Sequence, residues 1–146
     1  MAENTHDQQL GKFVLLFQGL ESALIELFGI TAGEDYPAAI LPAETKYRRL
    51  VGSTDLAFFH FVDQLRQPDV ETKARFHELM ERCQDIGVFR DRLVHSKYAL
   101  LIRTGKAVGE ALSAESFEPY FQKIAEALAE LEFFKLRVVE WKQPKG

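Results

Sequence analysis

The sequence holds a single cysteine, Cys83, so no internal disulfide can form and no Cys pair or Cys/His cluster can hold zinc. One Trp, five Pro and nine Gly in 146 residues exclude collagen-like and Pro- or Gly-rich low-complexity architectures. Long uninterrupted apolar runs are missing too. The longest, Phe13 to Phe17, falls far short of the roughly 20 residues a membrane-spanning helix needs, and no segment is expected to cross a bilayer. Met1 to Gln9 has neither the basic start nor the apolar stretch of a secretory signal, so a cytoplasmic location is expected. With 18 Lys plus Arg against 22 Asp plus Glu, the net charge of −4 argues against a generic nucleic-acid coat. Gly105-Lys106 lacks the flanking residues of a phosphate-binding loop and is read as a turn. His77 and Glu81, four apart, supply two metal ligands and no His-Glu-x-x-His pattern. No metal and no cofactor are expected.

What is present suits one folded domain. The chain is 47% hydrophobic and 27% charged and has 12 Phe, enough apolar material for a single core over about residues 10–141. From Leu10 to Phe28 apolar residues recur at helical spacing, including Phe13, Val14, Phe17, Leu20 and Leu24, and Gly29 can end that helix. Ile30 to Ala43 reads as a long connection. A second helix is predicted over about Thr45 to Leu65, with Tyr47, Leu50, Val51, Phe58 and Phe61 on one side and Pro68 beyond its end. Asp69 is placed to cap a third helix carrying Phe76, Leu79, Met80, Cys83, Ile86, Leu93 and Val94.

After Ser96 the period changes, and Tyr98 to Arg103 and Lys106 to Ala111 read as β-prone runs of a small hairpin turning at Thr104 and Gly105. Ser113 or Ser116 then caps a last helix with Phe117, Phe121, Ile124, Leu128, Leu131, Phe134, Val138 and Trp141, Pro119 falling in its first turn. The expected fold is all-α. It is a four-to-five-helix, up-and-down bundle with a small β-hairpin between the last two long helices.

Two charged residues break the apolar pattern. Arg90 follows Phe76, Met80, Cys83 and Gly87 at helical steps, and Glu21 lies in register with Val14, Phe17, Leu24 and Phe28. One reading is structural, with the two satisfying each other or burying only their stems. Around Arg90, however, lies a basic island. Arg90, Arg92, Lys97, Arg103 and Lys106 face one acid, Asp91, which suits a phosphate or an RNA backbone as well as a solvated helix end. Arg90 and His95, five residues apart, project about 140° away from each other on one helix. Asp91 is four residues before His95 and can hydrogen-bond its imidazole, so a helix-capping histidine is the structural alternative. Two copies of the helix crossing in a symmetric dimer would bring Arg90 and His95 of both chains into one cleft.

The run Arg90-Asp91-Arg92-Leu93-Val94-His95 resembles the signature of the HEPN superfamily: Arg, a polar residue, three further residues, then His. Asn is commonest at the second position and Asp91 is an accepted variant. The resemblance in architecture extends over about Leu10 to Trp141, although only the six-residue motif is specific. It implies a metal-independent endoribonuclease of prokaryotic toxin-antitoxin or phage-defence systems. In that reading His95 takes the proton of a ribose 2′-hydroxyl, Arg90 stabilises charge on the phosphate, and Asp91 orients the imidazole. Arg92, Lys97 and Arg103 are read from position and charge as RNA-backbone contacts, and Tyr98 as a stacking platform for a base. The implied partners are RNA, a second copy of the chain and a cognate antitoxin. The alternative is a non-catalytic binding module of the same superfamily, for a nucleotide, a nucleotidyltransferase or another protein.

Overall fold

The computed structural model describes residues 6–36, 43–67, 69–104 and 114–143, with side chains of 6–7, 43–45, 94–104 and 114–116 outside the described set. Four helices account for nearly all of it: α1 (His6–Ala32), α2 (Ala43–Asp63), α3 (Val70–Thr104) and α4 (Ala114–Lys142). Their apolar stripes meet in one core. Phe13, Phe17, Leu20 and Leu24 of α1, Leu50 and Phe58 of α2, Phe76 to Ile86 at helical spacing in α3, and Phe117 to Val138 in α4 are buried. Two aromatic clusters anchor the ends. Phe58 stacks on Phe76 at 3.9 Å with Phe134 edge-on, and at the other end Phe89 stacks on Tyr120 at 3.8 Å beside Phe13 and Phe117. Val14, assigned to the inner stripe by its spacing, is 44% exposed because it lies at the stripe's edge.

Helix ends follow local chemistry. Gly29 does not stop α1, which continues a turn to Ala32 and ends at Gly33, the residue with a left-handed φ of 77°. The N–H of Gly33 donates to the Gly29 carbonyl at 2.9 Å, closing the last turn. Asp69 caps α3 as its position predicts: Oδ1 accepts from the Thr72 backbone N–H at 3.1 Å and Oδ2 from the Thr72 hydroxyl at 2.7 Å. In α4, Ser116 lies inside the helix, Ser113 is outside the described residues, and Pro119 sits in the second turn, one turn deeper than expected. α1 also corrects the reading from uninterrupted runs. From Gln8 to Ala32 it is long and apolar enough to cross a membrane, and in the bundle its inner face is a core face.

The expected hairpin is not supported. Tyr98 to Arg103, its proposed first strand, is the continuation of α3, and there is no strand among the described residues. The run is built from Ala99, Leu100, Leu101, Ile102 and Arg103, mostly good helix formers, and extending an existing helix adds one hydrogen bond per residue without the nucleation a hairpin requires. Gly105 and Lys106 to Ala111 lie outside the described residues.

The connectivity also departs from up-and-down. Phe17 meets Tyr47 and Leu24 meets Thr54, so α1 and α2 run parallel. Lys12 meets Phe121, Glu26 pairs with Lys135, and Lys142 donates to the Ile30 carbonyl, so α1 and α4 are parallel as well. Only α3 runs the other way: Tyr47 reaches Cys83, Asp55 His77 and Asp63 Lys73, while Arg82 binds Glu130 and Phe76 meets Phe134. The helices form a ring in which each packs on its neighbours in order and α4 closes against α1. Between Ala32 and Ala43 the chain returns roughly 28 Å along the bundle, within reach of eleven extended residues. This is a four-helix bundle with one crossover connection.

Candidate functional site

That connectivity gathers the N-termini of α1, α2 and α4 at one end, where α3 is running out. Phe89 is level with Phe13 and Phe117, yet fifteen residues of α3 follow it, against seven of α1 before Phe13 and three of α4 before Phe117. The α3 backbone from about Lys97 on, which carries Tyr98 and Arg103, therefore outruns its neighbours, while His95 is level with the first turn of α1. α3 is helical throughout, while the side chains of these four residues lie outside the described set.

Arg90 sits inside the bundle, before this extension, one turn ahead of the buried Leu93. Its side chain is 20% exposed, and Nη2 and Nε donate to Asp91 Oδ1 at 3.0 and 3.3 Å. The guanidinium carbon stands 5.0 Å from the centre of the Phe17 ring. A partly buried guanidinium stacked on an aromatic face is well suited to this weakly hydrated, planar cation. The pairing of Asp91 with His95 expected from the sequence falls on a side chain outside the described residues. The structure shows the Asp91 carboxylate engaging Arg90, the preceding residue.

Behind Arg90 lies Tyr47 of α2, whose ring packs against Phe17 at 4.5 Å and whose hydroxyl donates to the Cys83 carbonyl at 2.8 Å. Burial pushes the phenol far above its ordinary range, so it remains a neutral donor. Burial likewise raises the Cys83 thiol to about 12, which leaves it an inert small hydrophobe, in keeping with its place on the apolar seam. Glu21 packs on the same side of the molecule as Arg90. Burial raises its carboxyl above the usual 4.5, and Arg90 and then Lys46 pull it back. Glu21 thus belongs to the neighbourhood of Arg90 and not to the far end of the bundle.

Two members of this neighbourhood, Tyr47 and Lys46, were not among the residues singled out from the sequence for chemistry. Tyr47 reads there as core, which it is. Lys46 carries no local signal, because only the packing of α2 on α1 brings it toward Glu21. Arg92 is exposed next to Asp91. Elsewhere, His77 Nδ1 lies 2.6 Å from Asp55 Oδ2 and Nε2 3.9 Å from Glu81. No group of three or more potential metal ligands converges among the described residues. His60 is exposed and edge-on to Phe59.

The geometry offers a guanidinium fixed by Asp91 and Phe17 and partly exposed, in the half of the bundle where the N-termini of α1, α2 and α4 lie. Comparison of the chain with protein-family profiles, with curated proteins and with solved structures finds no match.

Proposed function

We propose that the protein is a metal-independent endoribonuclease of HEPN type that acts as a homodimer in the cytoplasm, in a toxin-antitoxin or phage-defence setting. The observation that supports it is the setting of Arg90: held by Asp91 and Phe17, partly exposed, and about one and a half turns before His95 on a helix that projects past three N-termini. In this reading His95 accepts the proton of the 2′-hydroxyl, the 2′-oxygen forms a bond to the adjacent phosphorus, and the bond to the 5′-oxygen breaks. The leaving oxygen takes a proton from solvent. The products are a 2′,3′-cyclic phosphate and a 5′-hydroxyl. Arg90 neutralises charge that builds on the non-bridging oxygens, where a planar two-point donor is effective. Asp91 holds the guanidinium from one carboxylate oxygen, and the motif gives it the imidazole as a second partner. Arg92, Lys97 and Arg103 would contact phosphates and Tyr98 a base. The splay of Arg90 and His95 on one helix is why the site is assigned to two copies.

The test is incubation of purified protein with total RNA and a labelled tRNA in EDTA, beside folded Arg90→Ala and His95→Ala variants. Cleavage by wild type alone, leaving cyclic-phosphate ends, is the expected result, with a dimer in sedimentation equilibrium. A second reading is favoured by one observation: Asp91 and Glu21 already balance the charge of Arg90 within the chain. It makes the domain a non-catalytic module that binds a nucleotide, a nucleotidyltransferase or another protein. A folded, dimeric wild type that leaves all RNA intact would establish that reading over the nuclease.

A further inference from the structure

We propose that the groove between α2 and α3 is a docking surface for an acidic amphipathic helix of another protein. Two cavities make up the groove. One of about 780 Å³ lies between the two helices, bordered by Leu56, Phe59, Val70 and His77, and one of about 340 Å³ lies on the outer face of α2, bordered by Arg48 and Arg49. Gly52 and Leu56 line both, so the two are continuous. The floor is apolar and uncovered: Leu56 is 58%, Phe59 45% and Val70 72% exposed. Contiguous large apolar side chains of this kind mark a surface meant to be covered.

Shape selects a helix. From Gly52 to Phe59 the groove lies between antiparallel α2 and α3, and it continues over the outer face of α2 as far as Arg48, about 16 Å and three helical turns in all. A ridge of apolar side chains at steps of three and four fits such a channel. Gly52 provides the notch, since a methyl group built there meets nothing within 4 Å, and a partner side chain can seat where its own is missing.

Charge selects the partner's chemistry. Arg48 and Arg49 are exposed and have no ion-pair partner among the described residues. Farther along the groove the positive groups are already paired, Lys73 with Asp63 at 2.9 Å and His77 with Asp55 at 2.6 Å and Glu81 at 3.9 Å. The unpaired positive charge is therefore confined to one end, next to the N-terminus of α2, whose dipole has the same sign. An apolar ridge with Asp or Glu at one end satisfies both halves. The inference rests on this groove alone and not on the nuclease reading.

The test uses the full chain and two fluorescein-labelled peptides of about 18 residues, long enough to form a helix, with the same Leu ridge and either Glu or Lys in one terminal turn. Fluorescence polarisation should show saturable binding of the Glu peptide, at least about tenfold tighter than the Lys peptide at low salt, with the gap closing as salt rises. G52W and L56E change exposed positions, so melting should be unaltered while binding falls at least about tenfold. R48E with R49E should reverse the preference between peptides. The proposal is overturned if the Glu peptide does not bind, if both peptides bind alike, or if G52W and L56E leave binding intact. A labelled single-stranded RNA that displaces the Glu peptide and loses its own affinity in the R48E/R49E protein would give the surface to RNA, and also overturn it.

Discussion

The ring of Tyr47 lies so close over Gly87 that a methyl group at position 87 would stand 2.7 Å from two of its carbons. The same ring carries the hydroxyl that reaches the Cys83 carbonyl one turn earlier on α3. Tyr47 and Gly87 thus form one contact surface between α2 and α3, directly behind Phe17 and Arg90. Gly87→Ala gains up to about 1 kcal/mol of helix propensity but overpacks a buried ring, a cost of about 1–3 kcal/mol. The expected outcome is net destabilisation in urea. Combined with Tyr47→Ala, which removes the ring, the same substitution should turn neutral or stabilising, a coupling that a double-mutant cycle measures directly.

Glu21 gives a pH dependence with a definite sign. Its carboxyl is raised above 4.5 chiefly by burial, so the folded chain holds this proton more tightly than the unfolded chain. Its contribution to stability is fully present below about pH 4.5 and is lost as pH rises through the raised value. Glu21→Gln should melt higher than wild type near neutral pH, and the difference should vanish on acidification. A lower melting temperature for the variant at neutral pH would show that attraction to Arg90 outweighs burial.

His77 is raised above 6.5, first by its hydrogen bond to Asp55, then by the charge of that carboxylate. The pair stabilises the fold below pH 6.5, and that contribution fades as pH rises through the higher folded value. Because the imidazole is 63% exposed, the effect on stability is small and salt-sensitive. The titration itself is the better observable. An NMR titration of the His77 ring should show a raised midpoint that returns toward 6.5 in Asp55→Asn.

Gly33 ends α1 with a φ of 77°, a conformation that costs a residue with a Cβ about 1–2 kcal/mol. Gly33→Ala should lower stability by that amount and Gly33→Asn by less, since Asn tolerates the left-handed region. Chemical denaturation of both variants checks the order.

The four helices were legible because each carries a long stripe at one period, and the cap at Asp69 because its chemistry is local. Glu21 and Arg90 were legible as charges on apolar seams. Three things were not. The end of α1 was assigned to the first available glycine, whereas the left-handed turn falls at the next, and nothing in the residues between distinguishes them. Tyr98 to Arg103 reads as strand from its β-prone residues, although a helix already formed upstream continues through them at lower cost. The relative direction of α1 and α2 is a property of packing across a connection that periodicity does not read. For the same reason Lys46 and Tyr47 could not be placed beside Arg90, a neighbour 43 residues away from Tyr47 that only the parallel arrangement brings close.

The pairing of α1 with α4 has a consequence for the chain as it is made. Lys12 lies over Phe121, and Lys142 binds the Ile30 carbonyl, so the first helix is covered by the last. A ribosome adding about 5–20 residues per second needs roughly 5–20 seconds to go from Ile30 to Lys142. During that time the most apolar helix of the protein has α2 beside it and an open flank where α4 will lie. The nascent chain is therefore most prone to self-association, and most in need of a chaperone, before its final helix emerges.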